Sequence, residues 1–526
     1  MKNKFIYLAI IAVGFASCEP EFENPVSEDY SAGEANFSSY VAVGNSLTAG
    51  YMDGTVSRVG QSYSFPNLLA QQFAQVGGGV FTQPSYADDV NNLGGLLLAG
   101  NQIGATRLLI DASEGKPENV VGTPTIEVSS LQASAYNNMG VPGAKSFHLG
   151  VSGYGNVAGV ATGAANPYFV RHATSATATV LGDAMSKNPT FFTNWIGAND
   201  ILSYATNGGA KADGNTPAED HNTTGNANPA TYGPNDITNS MVFESVYSTI
   251  ITTLTSGNAK GVVATIPSVT SIPYFTTVPF NPLSPAKLGG AANIAALNAQ
   301  LYGPLNQVFT ALGEPDRVKL LSATSANPIL IFDADATDRS AQITGALTGT
   351  LGAPTAAAFG AVFGKARQAT AADLVVLPAS SVIGTPNASS PSPSINLNGV
   401  TFPMANKWVL TVNEKTKVAN ATTAYNNSIR SIAATKDLAV ADMNVILNQL
   451  VSGLRANNGT IYTANYFNGG PTEFGVLFSL DGVHPNARGY SVIANEIIKV
   501  INTHYNAKLP FLNPNNFPGI NIVGSN

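Results

Sequence analysis

Tyr40-Val-Ala-Val-Gly-Asn-Ser-Leu47 is the stretch on which the fold turns. Tyr40 to Val43 carry no polar residue, so they read as a short strand buried on both faces, the kind found in parallel sheets. Gly44-Asn45-Ser46 then breaks the run with a sharp turn. A hydroxyl presented there stands at the carboxyl edge of the sheet, where open α/β sheets place their ligands. Taken alone, a serine in a turn is more often a cap or a turn residue.

Working outward, apolar β-rich runs alternate with helical patterns, the sign of a parallel sheet with crossover helices. Thr190 to Ile196 is a second strand candidate and runs into Gly197-Ala-Asn199-Asp200. Val242, Val246, Ile250 and Leu254 recur at helical spacing, and Gly261 to Ile266 follows as a strand ending at Pro267. Val418 to Ala434 reads as helix, Leu438 to Ala441 as strand, and Val445 to Leu454 as helix. Pro485 is placed to start a last helix, whose Tyr490, Ile493, Ile497 and Val500 form one apolar stripe. The expected architecture is a three-layer α/β/α domain over 37–506 with a mostly parallel central sheet. Three stretches without core character, near 54–130, 207–236 and 336–406, are expected as cap-like insertions. Residues 507–526 read as a C-terminal tail.

Charged residues make up only 11% of the chain and the net charge is −7. No basic run is present, so nucleic acid is excluded as a partner class. No His/Asp/Glu cluster has metal-ligand spacing, and no cofactor motif occurs.

The N-terminus reads as a targeting segment. Lys2 and Lys4 precede an apolar stretch from Phe5 to Phe15, too short to span a bilayer as a helix. Phe15-Ala-Ser-Cys18 resembles a bacterial lipobox, whose cysteine is lipidated after cleavage. This predicts a signal peptide over 1–17, a lipid on Cys18, and a flexible tether over 18–36. Cys18 is the only cysteine, so no internal disulfide exists. The resemblance implies an envelope lipoprotein, with outer-membrane placement suggested by the acidic residues after Cys18.

Acyl transfer at neutral pH needs a nucleophile, a base, an acid to orient the base, and donors for an oxyanion. Five histidines are available. His148 sits among apolar neighbours, His172 has no acid nearby, His221 lies in a polar stretch, and His504 ends the last helix. His484 differs: in Asp481-Gly-Val-His484-Pro a carboxylate lies three residues ahead on a tight turn. That spacing lets one unit supply a base and the acid that fixes its tautomer, although Asp481 as a simple turn cap fits equally well.

These blocks together resemble the SGNH (GDSL-like) hydrolase family. Gly44-Asn-Ser-Leu47 is similar to its first block, with Asn45 where Asp is usual. Asn138-Met-Gly140-Val-Pro-Gly143-Ala resembles the second, Gly197-Ala-Asn199-Asp200 the third, and Asp481-Gly-Val-His484-Pro the last. Each is unspecific alone, and the weight lies in four occurring in order. The resemblance implies a flavodoxin-like fold and a serine-dependent carboxylic ester hydrolase, lipase or carbohydrate acetylesterase. It implies Ser46 as nucleophile, His484 as base and Asp481 as orienting acid. The oxyanion hole would comprise the Ser46 and Gly143 N–H groups and the Asn199 amide, with Gly140 fitting the turn as well as Gly143.

An α/β-hydrolase is excluded, because no Gly-x-Ser-x-Gly elbow occurs. The reading from another class is a non-catalytic surface lipoprotein that binds glycan or lipid on the same scaffold. Retention of Ser46, Asn199 and His484 together favours the enzyme.

Overall fold

The computed structural model describes residues 29–456, 459–467, 475–520 and 522–524. The expected signal peptide, the Cys18 site and most of the tether lie outside the described residues.

Five strands form the central sheet: β1 (Tyr40–Gly44), β2 (Asn138–Gly140), β3 (Phe191–Trp195), β4 (Lys260–Ala264) and β5 (Ala439–Ala441). They lie in the order β2-β1-β3-β4-β5, and every neighbouring pair is parallel. Four of them coincide with the apolar runs. β2 carries no apolar signal, because its buried Asn138 is satisfied by donating to Thr48 O and Gln83 Oε1, 2.9 Å each, both distant in sequence. A polar residue whose hydrogen bonds are met inside the fold is invisible to a hydropathy pattern.

The helices that frame the site are α1 (Ser46–Ala49), α2 (Phe65–Ala74), α3 (Asn199–Thr206), α4 (Ser240–Leu254), α5 (Val412–Thr435), α6 (Met443–Ser452) and α7 (Ala487–His504). Alternation along the strands splits the core in two. Val41, Val43, Phe192 and Val263 pack with Phe243 and Ile250 of α4 and with Tyr425 and Ile429 of α5. Tyr40, Ala42, Phe191 and Val262 pack with Phe65, Leu69 and Phe73 of α2 and with Tyr490, Ile497 and Ile501 of α7. Helices therefore cover both faces, and each large apolar side chain so buried contributes about 1.5–3 kcal/mol.

Three helix starts differ from the sequence reading; α6 begins at Met443 rather than Val445, capped by Asp442, whose Oδ1 accepts from Val445 N at 3.2 Å. α5 begins before Val418, because Thr411 and Glu414 form a capping box: Glu414 Oε2 accepts from Thr411 N at 2.7 Å and from its Oγ1 at 2.8 Å. α7 does not start at Pro485; Asn486 caps it by accepting from Gly489 N at 2.9 Å, so the proline stays in the turn that carries His484.

The stretches expected as insertions are tied into the body. The 54–130 stretch supplies α2 to the core. The 207–236 stretch is joined to the body by buried Lys145, whose Nζ donates to Asp236 O at 2.7 Å. The 336–406 stretch folds into the helices Ser340–Leu351 and Ala353–Phe363. In the tail Ala507 and Leu509 are buried, and Ile522–Val523 pairs in parallel with Ile110–Asp111.

Candidate active site

β1 delivers Ser46 to the carboxyl edge of the sheet as the first residue of α1. Asn45 is the cap, its side chain accepting from Leu47 N at 3.1 Å. Gly44 is required before it, since a Cβ would lie 2.1 Å from Thr48 Oγ1 and 2.6 Å from Trp195 O. The Ser46 N–H opens a helix and so has no intrahelical acceptor.

Ser46 Oγ lies 2.8 Å from His484 Nε2, and His484 Nδ1 lies 2.9 Å from Asp481 Oδ2. With Asp481 ionised, the proton of the neutral ring sits on Nδ1, which leaves Nε2 free to accept from Ser46. Asp481 is held at both oxygens: Oδ1 accepts from Val483 N at 2.9 Å and His484 N at 2.8 Å, and Oδ2 also accepts from Gly54 N at 3.1 Å. Burial raises the Asp481 carboxyl pKa, but the charge and N–H groups of His484, with the Val483 N–H, outweigh it and leave it below the usual value. Asp481 thus accepts both from the backbone of its own turn and from the His484 ring.

Two residues after β3 comes Gly197, whose φ of +113 and close approach to Phe243 and Ile266 exclude a side chain, and α3 then begins at Asn199. Asn199 lines a cleft of about 40 Å³ together with Ser46 and His484. One amide N–H donates to Ala144 O at 2.9 Å; the second has no partner among the described residues. Pro142 and Gly143 occupy the centre of a turn closed by Ala144 N donating to Val141 O at 3.1 Å, with Gly143 at φ +79. The Gly140 N–H donates to Asn138 Oδ1 at 3.0 Å, whereas the Gly143 N–H has no partner among the described residues. Of the two glycines, Gly143 has the donor to spare. The buried Asp200 accepts from Ser146 N and Oγ, 2.8 Å each, and clamps this turn to the start of α3.

Three residues of the site escape a sequence reading. The Gly54 N–H reaches Asp481 as described. The Tyr51 ring packs against the His484 ring with centroids 4.5 Å apart. Asp53 Oδ1 accepts from Leu480 N at 3.0 Å, while Asp53 N donates to Ser479 Oγ at 3.0 Å. Burial pushes the Asp53 carboxyl up to about 6; the Leu480 N–H opposes this and nearby Asp481 adds to it. Asp53-Gly54 is a turn signal in sequence, but nothing local says the turn meets residues more than 400 positions later.

No protein-family model, curated protein or solved structure matches this chain.

The other histidines have different surroundings. His148 Nδ1 accepts from Lys145 N at 3.1 Å, and burial, with the Lys145 charge, lowers its pKa to about 4. Burial likewise lowers His172 to about 3, aided by Arg171. His221 has a carboxylate, but its other nitrogen is occupied by Thr224 Oγ1 at 3.0 Å. His504 lies 3.2 Å from Asp437 O. Among the described residues, only His484 joins a carboxylate to a serine.

Proposed function

We propose that this protein is a serine-dependent hydrolase of carboxylic esters with an SGNH-type fold and mechanism. The observation that carries the reading is the continuous chain from Ser46 Oγ through His484 to Asp481, with contacts of 2.8 and 2.9 Å. The strand order supports it as well, since β2-β1-β3-β4-β5 is the flavodoxin-like order, whose ligands sit where the order reverses beside the first strand.

His484 takes the Ser46 proton as Oγ attacks the ester carbonyl, and Asp481 stabilises the imidazolium. The oxyanion accepts from the Ser46 and Gly143 N–H groups and from the free amide N–H of Asn199. His484 then protonates the leaving alkoxide, and the acyl group stays on Ser46. A water deprotonated by His484 attacks the acyl carbon, and His484 returns the proton to Ser46 Oγ as the acyl–oxygen bond breaks and the carboxylic acid leaves.

Cys18 is proposed to carry the lipid that holds the enzyme at a bacterial envelope membrane, on the strength of the preceding signal-like segment. A Cys18→Ser protein that still partitions with membranes would remove that part alone. The catalytic proposal is tested by p-nitrophenyl ester hydrolysis with the protein starting at Glu19. Turnover that Ser46→Ala abolishes is expected; undiminished turnover by Ser46→Ala would contradict the assignment.

A further inference from the structure

A second cavity of about 110 Å³ opens beside the catalytic cleft. The two share four lining residues, Leu47, Pro267, Ile272 and Val483. Leu47 follows the nucleophile directly, and Val483 directly precedes His484, so the cavity begins where the reacting atoms end. Its far wall is Met443, Ile446, Leu447 and Leu450 of α6, faced by Val492 of α7. Among the described residues no charged side chain lines it, and the indole of Trp195 is the only polar side-chain group there. Such a space is favourable for methylene groups and for little else.

We infer that this cavity binds the acyl chain of the substrate, which makes the enzyme selective for medium-chain acyl esters over acetyl esters. The inference rests on the ester-hydrolase reading of Ser46. The acyl part is the fitting occupant because it remains bonded to Ser46 through both chemical steps, and burial serves it in each. The alcohol must leave after the first step and be replaced by water, which an apolar cavity disfavours. Cleft and cavity together match the roughly 150 Å³ of an engineered apolar cavity that takes a six-carbon ring, so the chain accommodated is about six to eight carbons.

The test is kcat/KM for p-nitrophenyl acetate, butanoate, hexanoate, octanoate and dodecanoate. Each added methylene is expected to raise it by about fourfold until the cavity is filled, with a plateau or fall beyond octanoate. Leu447→Trp, which fills the cavity from α6, is expected to lower the hexanoate-to-acetate ratio at least about tenfold. Leu450→Phe serves if the first variant does not fold. A flat series that Ser46→Ala still abolishes would overturn the acyl cavity and leave the hydrolase reading intact. So would an unchanged ratio in a folded filling variant, or a chain-length gain confined to acetates of longer alcohols. Absence of turnover of every ester would overturn both.

Discussion

His484 Nε2 meets Ser46 Oγ at 2.8 Å, although 438 positions of sequence separate the two residues. Two segments fix that contact. β1 is clamped between β2 and β3, which sets Ser46. The turn before α7 is set by Asp481, by the Asn486 cap, and by Ser479 N donating to His484 O at 2.7 Å. Ser46 and His484 are therefore each set by local backbone, and the bonds of Asp53 and Gly54 to Ser479, Leu480 and Asp481 tie the two segments together.

Asp481→Asn keeps the shape of the turn and removes the charge that holds the Nδ1 proton. We expect kcat for an activated ester to fall by about 10³–10⁴, with the fold retained by circular dichroism. A fall of less than tenfold would mean that Asp481 serves the turn alone.

Asn199→Ala removes the amide whose second N–H is unoccupied. Loss of one oxyanion donor typically costs about 3–4 kcal/mol of barrier, so kcat should drop by about 10²–10³ with KM little changed. Steady-state kinetics with a short-chain ester would show it. A rise in KM at constant kcat would instead mark Asn199 as a ground-state binding group.

The two glycines of the second block should both cost stability when replaced but differ in their effect on kcat. A Cβ on Gly140 would lie 2.2 Å from Ala49 N, a backbone atom; Gly140→Ala is expected to lose about 1–3 kcal/mol in denaturant melts. A Cβ on Gly143 meets nothing closer than Asn166 Nδ2 at 3.9 Å, but φ is +79. Gly143→Ala is expected to cost about 1–2 kcal/mol of backbone strain and to reduce kcat as the turn relaxes. Equal effects on kcat from both would remove the distinction drawn between their N–H groups.

Much of this site can be read from sequence because its parts are local. Val41 and Val43 signal a strand, Gly44 to Ser46 a turn, and Asp481 with His484 a self-contained unit. What escapes is whatever depends on distant partners. Asn138 conceals β2 because Thr48 and Gln83 satisfy it. Asp53 and Gly54 are ordinary turn residues until the fold lays them against Asp481 and Leu480. Tyr51 is placed by Tyr490, whose hydroxyl donates to Tyr51 O at 2.6 Å. α2 lies in a stretch rich in Gly and Gln whose lack of a clean period over its full length hides the ten helical residues within it.

Glu414 gives a pH signature of stability away from the site. Burial pushes its carboxyl from 4.5 up to about 7; its bonds to Thr411 oppose this, and Asp335 and Asp333 add to it. A carboxyl whose pKa is higher in the folded state stabilises the fold fully below 4.5 and loses that contribution as pH rises through about 7. The melting temperature should therefore decline over this range more steeply in the wild type than in Glu414→Gln, which keeps a capping residue without the titration. Parallel declines would show that Glu414 does not carry the effect.

The central claim is that Ser46 is a nucleophile activated by His484. Reaction with a fluorophosphonate, followed by peptide mass mapping, tests it without any assumption about the natural ester. A single adduct on Ser46, abolished by Ser46→Ala and strongly slowed by His484→Ala, is the predicted result. An adduct on another residue, or none under conditions where the protein is folded, would contradict it.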